Sequence, residues 1–157
     1  MKKNDTGEII TGYLRLRNPA YGTGRKTPDG DPEVDWSGCK TSYSDDNGFD
    51  LRNIEKNGKH YIEINLPKGT QLIRYGRETG KYTAPKGTRY EELSLPYIKS
   101  SVEFHEYRVI VDSITVYCTV NKGIVAPMFD CNGGGVQYFH LDGSIRKMVQ
   151  KNILERV

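Results

Sequence analysis

The sequence has few of the residues and patterns that assign a protein to a class at first sight. Only three of its 157 residues are cysteines (Cys39, Cys118 and Cys131), and no two of them form a Cys-x-x-Cys pair. We therefore expect reduced thiols and no bound metal, because zinc sites and disulfide-built domains need such spacing or more cysteines. No apolar run is long enough to span a membrane, and the basic start MKKNDTGEII lacks the apolar core of a signal peptide.

Charge of one sign is not concentrated anywhere in the chain. It has 23 Lys and Arg against 20 Asp and Glu, a formal net charge of +3, without any block of five like charges. This balance predicts no nucleic-acid partner. The HExxH, P-loop and Gly-x-Ser-x-Gly motifs are also missing. Three histidines are not grouped with carboxylates at metal-ligand spacing, which argues against a metal-dependent nuclease.

What the sequence does have favours a single turn-rich domain. There are 17 glycines and seven prolines, and 11 tyrosines against four phenylalanines. Tyrosine packs like an apolar residue and keeps one polar end, which suits strands and binding clefts. We interpret residues 1–42 as a loop-rich lead-in packed on the domain, with 18–38 as a loop and Trp36 as its anchor, and residues 43–157 as the domain itself.

Alternation of apolar and polar residues predicts mainly strands. The predicted strands are a loose one within 9–16 and clearer ones at 60–66, 70–75, 101–111, 114–120 and 137–141. Turns are predicted at 80–82 and 85–87. Ser144 is a candidate N-cap for a closing helix, in which apolar residues recur at helical spacing from Ile145 to Ile153. The predicted fold is α+β and mostly β, with small antiparallel or mixed sheets forming a cleft and a C-terminal helix.

A run of three glycines in the stretch FDCNGGGVQYFH (129–140) stands directly before Gln137. Glycine is costly to order, so the run predicts unusual backbone angles or a close approach, either in a wide turn or beside a ligand. Arg74 and Tyr75 end a predicted strand, and an arginine there can grip a phosphate while an aromatic ring stacks on a base. With Tyr82 and His105 they suggest an anionic, aromatic ligand of nucleotide-like shape. Each residue alone is equally compatible with an ordinary structural role.

Taken together, residues from about 43 to 157 resemble the tuberculosis necrotizing toxin domain family, whose members are NAD+ glycohydrolases of bacterial polymorphic toxins and of some fungal secreted enzymes. The matching stretches are NGF (47–49), LPKGTQLIRYGRETGKYTAPKGT (66–88), LSLP (93–96), EYRV (106–109) and VAPMFDCNGGGVQY (125–138).

This resemblance implies a site. It implies that Gln137 is catalytic, that Arg74 holds the NAD+ phosphates, and that Tyr75 and Tyr82 flank the nicotinamide end. His105 is implied as a further catalytic residue by a looser match. Gly134 and Gly135 are expected to form a side-chain-free wall beside the substrate.

One departure from the family pattern concerns the phosphates. The family's second arginine, two residues before its Leu-Pro, is replaced here by Leu93. Arg89, four residues earlier, is the candidate to reach the same phosphate.

The resemblance also implies a reaction and its setting. Water would split the bond between nicotinamide and ribose in NAD+ and deplete the dinucleotide in the cytoplasm of a target cell, with NADP+ open as a second substrate. NAD+ would be the substrate, with no cofactor or metal. The domain would be delivered by a secretion system as part of a larger toxin, and an immunity protein would block its active site.

Two alternatives remain open at this stage. An ADP-ribosyltransferase would break the same bond and pass the ribose to a protein, and Glu103 or Glu106 could serve it. A non-enzymatic nucleotide-binding module would bind without turnover, and Leu93 favours that alternative.

Overall fold

A single antiparallel sheet of seven strands dominates the computed structural model, which describes residues 2–3, 9–10, 22–26, 32–34, 46–95, 102–127 and 131–157. The seven strands are β5 (Tyr61–Asn65), β6 (Gln71–Tyr75), β7 (Tyr82–Pro85), β8 (Phe104–Val109), β9 (Thr119–Ile124), β10 (Val136–His140) and β11 (Leu154–Arg156). Their order across the sheet is β11-β8-β6-β7-β10-β9-β5. The prediction of a mostly β fold with a C-terminal helix is confirmed.

Two short strand pairs precede this sheet. The pairs are β1 (Lys2–Lys3) with β2 (Ile9–Ile10) and β3 (Gly22–Lys26) with β4 (Pro32–Val34). The second pair corrects the prediction of a continuous loop over 18–38. Trp36, Cys39 and the rest of the strand predicted within 9–16 lie outside the described residues.

The sheet has two faces that alternate along every strand. One face, here called the helix face, carries Leu72, Tyr107 and Tyr138 and is covered by helix α1 (Ile145–Gln150). Ser144 caps this helix, since its side chain accepts a hydrogen bond from the Lys147 backbone, as the sequence predicts. The helix ends well before Ile153 because Asn152 adopts a φ of 58°, and the chain continues into β11.

The other face, here called the open face, carries Ile73 and Ala84. A smaller core of Leu93, Val125 and Ala126 packs on these two residues. A short 3-10 helix (Tyr90–Leu93) lies over this part of the sheet. The open face is therefore covered only in part, whereas the helix face holds the main core.

Two strand predictions needed correction. The predicted strand at 114–120 is displaced to Thr119–Ile124, because Ser113 has a φ of 60° and the Ile114 amide bonds the Asp112 carboxylate, which makes a local turn. The turns predicted around 80–82 and 85–87 bracket a strand, β7, that the sequence pattern does not reveal.

Candidate active site

Four aromatic side chains form a row across the open face. The register pairs Tyr75 with Phe104 and Tyr82 with Phe139, and the β6–β7 pairing of Ile73 with Ala84 shows that both pairs lie on one face of the sheet. Ring centroids lie 4.8 Å apart for Tyr75–Phe104 and 5.1 Å apart for Tyr82–Phe139. This aromatic row (Phe104, Tyr75, Tyr82 and Phe139) offers a partly exposed surface to a flat ligand.

Gln137 lies on the same face, one row away from Tyr82. The β10 register pairs Gln137 with Gly123, and the β7 register places it opposite Ala84, so small neighbours flank it on both sides. Its side chain is buried, and its amide nitrogen donates a 3.1 Å hydrogen bond to the Asn47 carbonyl. That bond fixes the amide plane, so the amide oxygen is the atom that can accept a hydrogen bond from a ligand or water.

The neighbouring loop is held down over Gln137 by a buried aromatic ring. Phe49 is fully buried, bridges to Val125 and packs on Tyr61 with a centroid distance of 5.2 Å. A Cβ on Gly123 would lie 2.4 Å from the Phe49 ring, so only glycine allows this approach. The NGF stretch (47–49) and Gly123 therefore position the carbonyl that orients Gln137.

The glycine run serves the protein's own packing. A Cβ on Gly133, whose φ is +66°, would lie 2.6 Å from the Val125 and Ala126 carbonyl oxygens. A Cβ on Gly135 would lie 3.0 Å from Glu92, whose carbonyl accepts the Gly135 amide. Gly134 has a φ of +86° and open space around it. The predicted unusual angles and close approach are both present, but the close approach at Gly133 and Gly135 is made by backbone and by Glu92 rather than by a ligand.

A groove of about 520 Å³ opens beside the aromatic row. Tyr75 and Phe104 form one wall, and the segment from Lys86 to Glu91 forms the other. Arg89 lines this groove, with its side chain mostly exposed and paired to Glu92 at 3.3 Å. The structure thus places Arg89 on the side of the sheet that carries Tyr75 and Gln137.

Arg74 and His105 lie on the helix face, paired with each other in the β6–β8 register. The Arg74 side chain is buried and donates to the carbonyls of Arg77 (2.9 Å) and Tyr82 (3.0 Å). Gln137 lies on the open face, so the structure gives no support to a phosphate contact by Arg74 next to Gln137. Arg74 instead fixes the turn between β6 and β7, against Gly80, where a Cβ would lie 1.8 Å from the guanidinium.

His105 is held by a carboxylate close to it in sequence. Its Nε2 lies 2.7 Å from Glu103 Oε1, and its ring centroid lies 5.9 Å from that of Tyr107. The structure does not bring His105 together with Gln137, so it gives no support to the looser match that made this residue catalytic.

Sequence reasoning missed a buried polar group on the helix face. Glu78 accepts hydrogen bonds from Tyr107 Oη (2.7 Å) and from Arg156 (2.6 Å to Nη2). The Arg156 bonds hold the pKa of Glu78 at about 2. Burial and Glu78 together raise the pKa of the Tyr107 phenol far above its usual value. Glu78 lies in the turn between β6 and β7 and gives no sequence signal, because its partner Arg156 lies 78 positions away.

His140 is another buried titratable group on that face. Its Nε2 lies 2.7 Å from Thr83 Oγ1, and its Nδ1 lies 3.9 Å from the Cys118 thiol. Burial, assisted by the Arg74 charge, lowers the pKa of His140 to about 3. The imidazole is therefore neutral at physiological pH and serves packing on the face opposite Gln137.

The parts of the chain that the structure describes lack two features. Within them, no three or more His, Cys, Asp or Glu side chains are grouped so that they could hold a metal ion. Likewise, none of their helices has the length and apolar character needed to cross a membrane.

Comparisons with known proteins identify the family and the fold. The conidial surface nicotinamide adenine dinucleotide glycohydrolase of Aspergillus fumigatus is 31% identical over 102 residues, which span 59% of this chain and 44% of that protein. The atomic structure of tuberculosis necrotizing toxin complexed with its immunity factor superposes with a TM-score of 0.60 and 17% identity, over 98% of this chain and 74% of that one, and so shows the same fold. The sequence profile of the tuberculosis necrotizing toxin family matches residues 65–157, and the chain belongs to this family.

Proposed function

We propose that this protein is an NAD+ glycohydrolase, which hydrolyses the bond between nicotinamide and ribose to release nicotinamide and ADP-ribose. Membership of the tuberculosis necrotizing toxin family carries the proposal. The activity for which the fungal relative is named supports it, and the match spans less than half of that protein. The open face adds a physical reason, because it combines aromatic rings with one oriented amide.

The chemistry needs little from the protein beyond position and electrostatics. Nicotinamide leaves a cationic pyridinium ring as a neutral molecule, so no acid has to protonate it. The ribose passes through an oxocarbenium-like state, which carries positive charge. A fixed dipole whose negative end faces that charge lowers the barrier without reorganising during the reaction.

Gln137 is the group that can supply this dipole. Its amide nitrogen is occupied by the Asn47 carbonyl, which turns the amide oxygen toward the ligand side. That oxygen accepts a hydrogen bond from a ribose hydroxyl or from the attacking water. On this proposal Tyr82, on the strand next to the one that carries Gln137, holds the flat nicotinamide end and excludes solvent around it, and Tyr75 lies farther along the aromatic row. Arg89, which lines the groove, takes the role of meeting the phosphates in place of the buried Arg74.

Replacing Gln137 tests this assignment directly. Gln137→Leu keeps the bulk and removes the amide, and we expect NAD+ turnover to fall by a factor of about 10² to 10³, the usual cost of losing one fixed donor or acceptor in an active site. Gln71→Leu is the matched control, because Gln71 is an exposed glutamine on β6. Turnover is measured as nicotinamide released, and folding is checked by circular dichroism.

The outcomes separate the competing activities. NAD+ consumption by the Gln137→Leu variant equal to that of the parent would refute the role of Gln137. Absence of NAD+ loss in the parent chain would favour a nucleotide-binding module. Radiolabel from NAD+ appearing on protein, in place of free ADP-ribose, would identify an ADP-ribosyltransferase, for which Glu106 on the open face would be the candidate carboxylate.

We also propose a setting for this activity. An NAD+ glycohydrolase would drain the NAD+ of the cell that makes it, so we propose a cognate immunity protein that covers the open face. The structural relative with its immunity factor supports this partner. On this proposal the chain is an effector delivered by a secretion system, as part of a polymorphic toxin, into the cytoplasm of a target cell.

A further inference from the structure

The groove beside the aromatic row combines a flat apolar wall with a charged rim. Phe104 is a large apolar side chain and is 50% exposed, because it begins β8 and the edge strand β11 pairs only with residues 107–109. Lys86 and Arg89 stand on the opposite rim, and Glu91 and Glu106 also line the groove. A flat ring stacked on Phe104, with anionic groups directed to the rim, would use both walls.

The Phe104 ring is held in place by two other rings. Tyr75 packs on it at 4.8 Å with an interplanar angle of 41°, and Tyr90 meets Tyr75 edge-on at 4.8 Å and 89°. Tyr90 is itself fully buried. A base that stacks on Phe104 therefore meets a surface whose orientation is already fixed, so little side-chain entropy is lost on binding.

The distance from Phe104 to Gln137 suits one dinucleotide. Phe104 stands on β8, and β6 and β7 separate that strand from β10, which carries Gln137. Three strand spacings amount to about 14 Å along the sheet. Two nucleosides joined by a pyrophosphate, in an extended form, cover a span of this order, with the aromatic row beneath them.

We propose that this groove binds the adenine nucleotide half of NAD+, with adenine stacked on Phe104 and the phosphates toward Lys86 and Arg89, an assignment that rests on the proposed function. The carboxylates of Glu91 and Glu106 accept hydrogen bonds from the ribose hydroxyls or the adenine amino group. Since Arg89 is already paired with Glu92 and two further acids line the groove, the stacking ring supplies most of the affinity. Phe104 therefore determines how tightly the substrate binds rather than how fast it reacts.

Titration with adenosine monophosphate tests this directly, because that probe carries the adenine half alone. Calorimetry on the full chain should show binding that Phe104→Ala weakens about tenfold, within the usual range for one base on one aromatic ring. Phe104→Trp should retain or tighten it. Tyr117→Ala is the matched control, since Tyr117 is 44% exposed but lies in the loop before β9, and it should bind as the parent does.

Kinetics give the second readout. Phe104→Ala should raise the KM for NAD+ about tenfold and change kcat less than about twofold, because the ring acts on the non-reacting half of the substrate. Equal adenosine monophosphate affinity in the parent and in Phe104→Ala, or no binding to the parent, overturns the inference. A fall in kcat at unchanged KM overturns it as well.

Failure of the proposed function gives a different pattern. If the parent binds adenosine monophosphate through Phe104 but consumes no NAD+, the groove stands as an adenine nucleotide site and the glycohydrolase activity is refuted. If the parent consumes NAD+ and Phe104→Ala is unchanged in both assays, the activity stands and the groove assignment falls.

Discussion

Arg74 and Tyr75 are neighbours in sequence and have opposite surroundings in the fold. Successive side chains of a strand point to opposite faces of the sheet. The two neighbours therefore cannot both contact one ligand that lies on a single face. Tyr75 joins the aromatic row, whereas Arg74 is buried against two carbonyl groups of the β6–β7 turn. The strand that carries both residues was correctly predicted. Its alternation was therefore enough, from sequence alone, to place Arg74 on the face opposite Tyr75.

Because of His140, the free energy of unfolding of the protein should decrease at mildly acidic pH. Its pKa is about 3 in the folded chain, and an unfolded histidine titrates near 6.5. Between these values the unfolded chain binds a proton that the folded chain does not, so the free energy of unfolding is highest above about pH 6.5 and falls as the pH drops, by up to about 1.4 kcal/mol per unit.

We expect His140→Gln to remove this slope while keeping a side chain that can bond Thr83. The measurement is urea unfolding of the parent and the variant from about pH 7.5 to about pH 5, the window in which an unperturbed histidine takes up its proton. If both proteins lose the same free energy of unfolding over this window, the buried imidazole is not the cause.

At the scale of elements, the strands of the large sheet that the sequence identified are those of five or six residues, β9 with displaced bounds. β5 and β8 alternate and were predicted within a few residues. β7 was missed, because its middle residues Thr83 and Ala84 are both buried, one on each face, and its length is only four residues. β11 was missed because it is three residues long and its partner in β8 precedes it by some 47 positions.

β11 is tied to the β6–β7 turn by the pair of Glu78 and Arg156. The Glu78 carboxylate is buried, and its pKa of about 2 lies below the ordinary value of 4.5 mainly because Arg156 donates to it. This stabilisation is complete above about pH 4.5 and is lost as the pH falls toward 2. The pair thus holds the last strand at the edge of the sheet.

Removing that charge should therefore loosen the C-terminal edge. We expect Glu78→Gln to lower the free energy of unfolding by about 2 kcal/mol near neutral pH, since Tyr107 and Arg156 both lose a charged acceptor. Glu155→Gln on the same strand breaks the exposed pair with Arg108 and should cost less than about 1 kcal/mol. Urea unfolding measures both, and equal losses would contradict the special role of Glu78.

For the molecule as a whole, the sequence predicted the family and fold class better than the site. The resemblance depended on short stretches that stand in the order and spacing of the family pattern, and the profile match confirms the family. Which side chains share a face depends on strand register, and register across seven strands is set by long-range pairing that local patterns do not contain. In the structure, Tyr75, Tyr82 and Gln137 therefore lie on the open face, whereas Arg74 and His105 lie on the helix face.

The two-part division into 1–42 and 43–157 remains a proposal at this scale. All seven strands of the sheet and α1 come from residues after 60, and the described loop before them adds Asn47 and Phe49 to the Gln137 site. We expect chain 43–157 to retain its cooperative unfolding and its NAD+ turnover. Chain 60–157 should lose turnover, because the carbonyl that orients Gln137 is gone.

Both truncations are assayed by thermal unfolding and by nicotinamide release. Loss of turnover in chain 43–157 with an intact fold would show that residues 1–42 complete the site. Full turnover in chain 60–157 would contradict the role of Asn47.

The last backbone amide has a practical consequence for anyone who handles this protein. Val157 N donates to the Glu106 carbonyl at 2.9 Å, and Glu106 lines the groove beside Phe104. An affinity tag or reporter fused after Val157 would leave the fold at the mouth of that groove and could compete with a nucleotide for it. Kinetic work should therefore carry its tag at the opposite terminus.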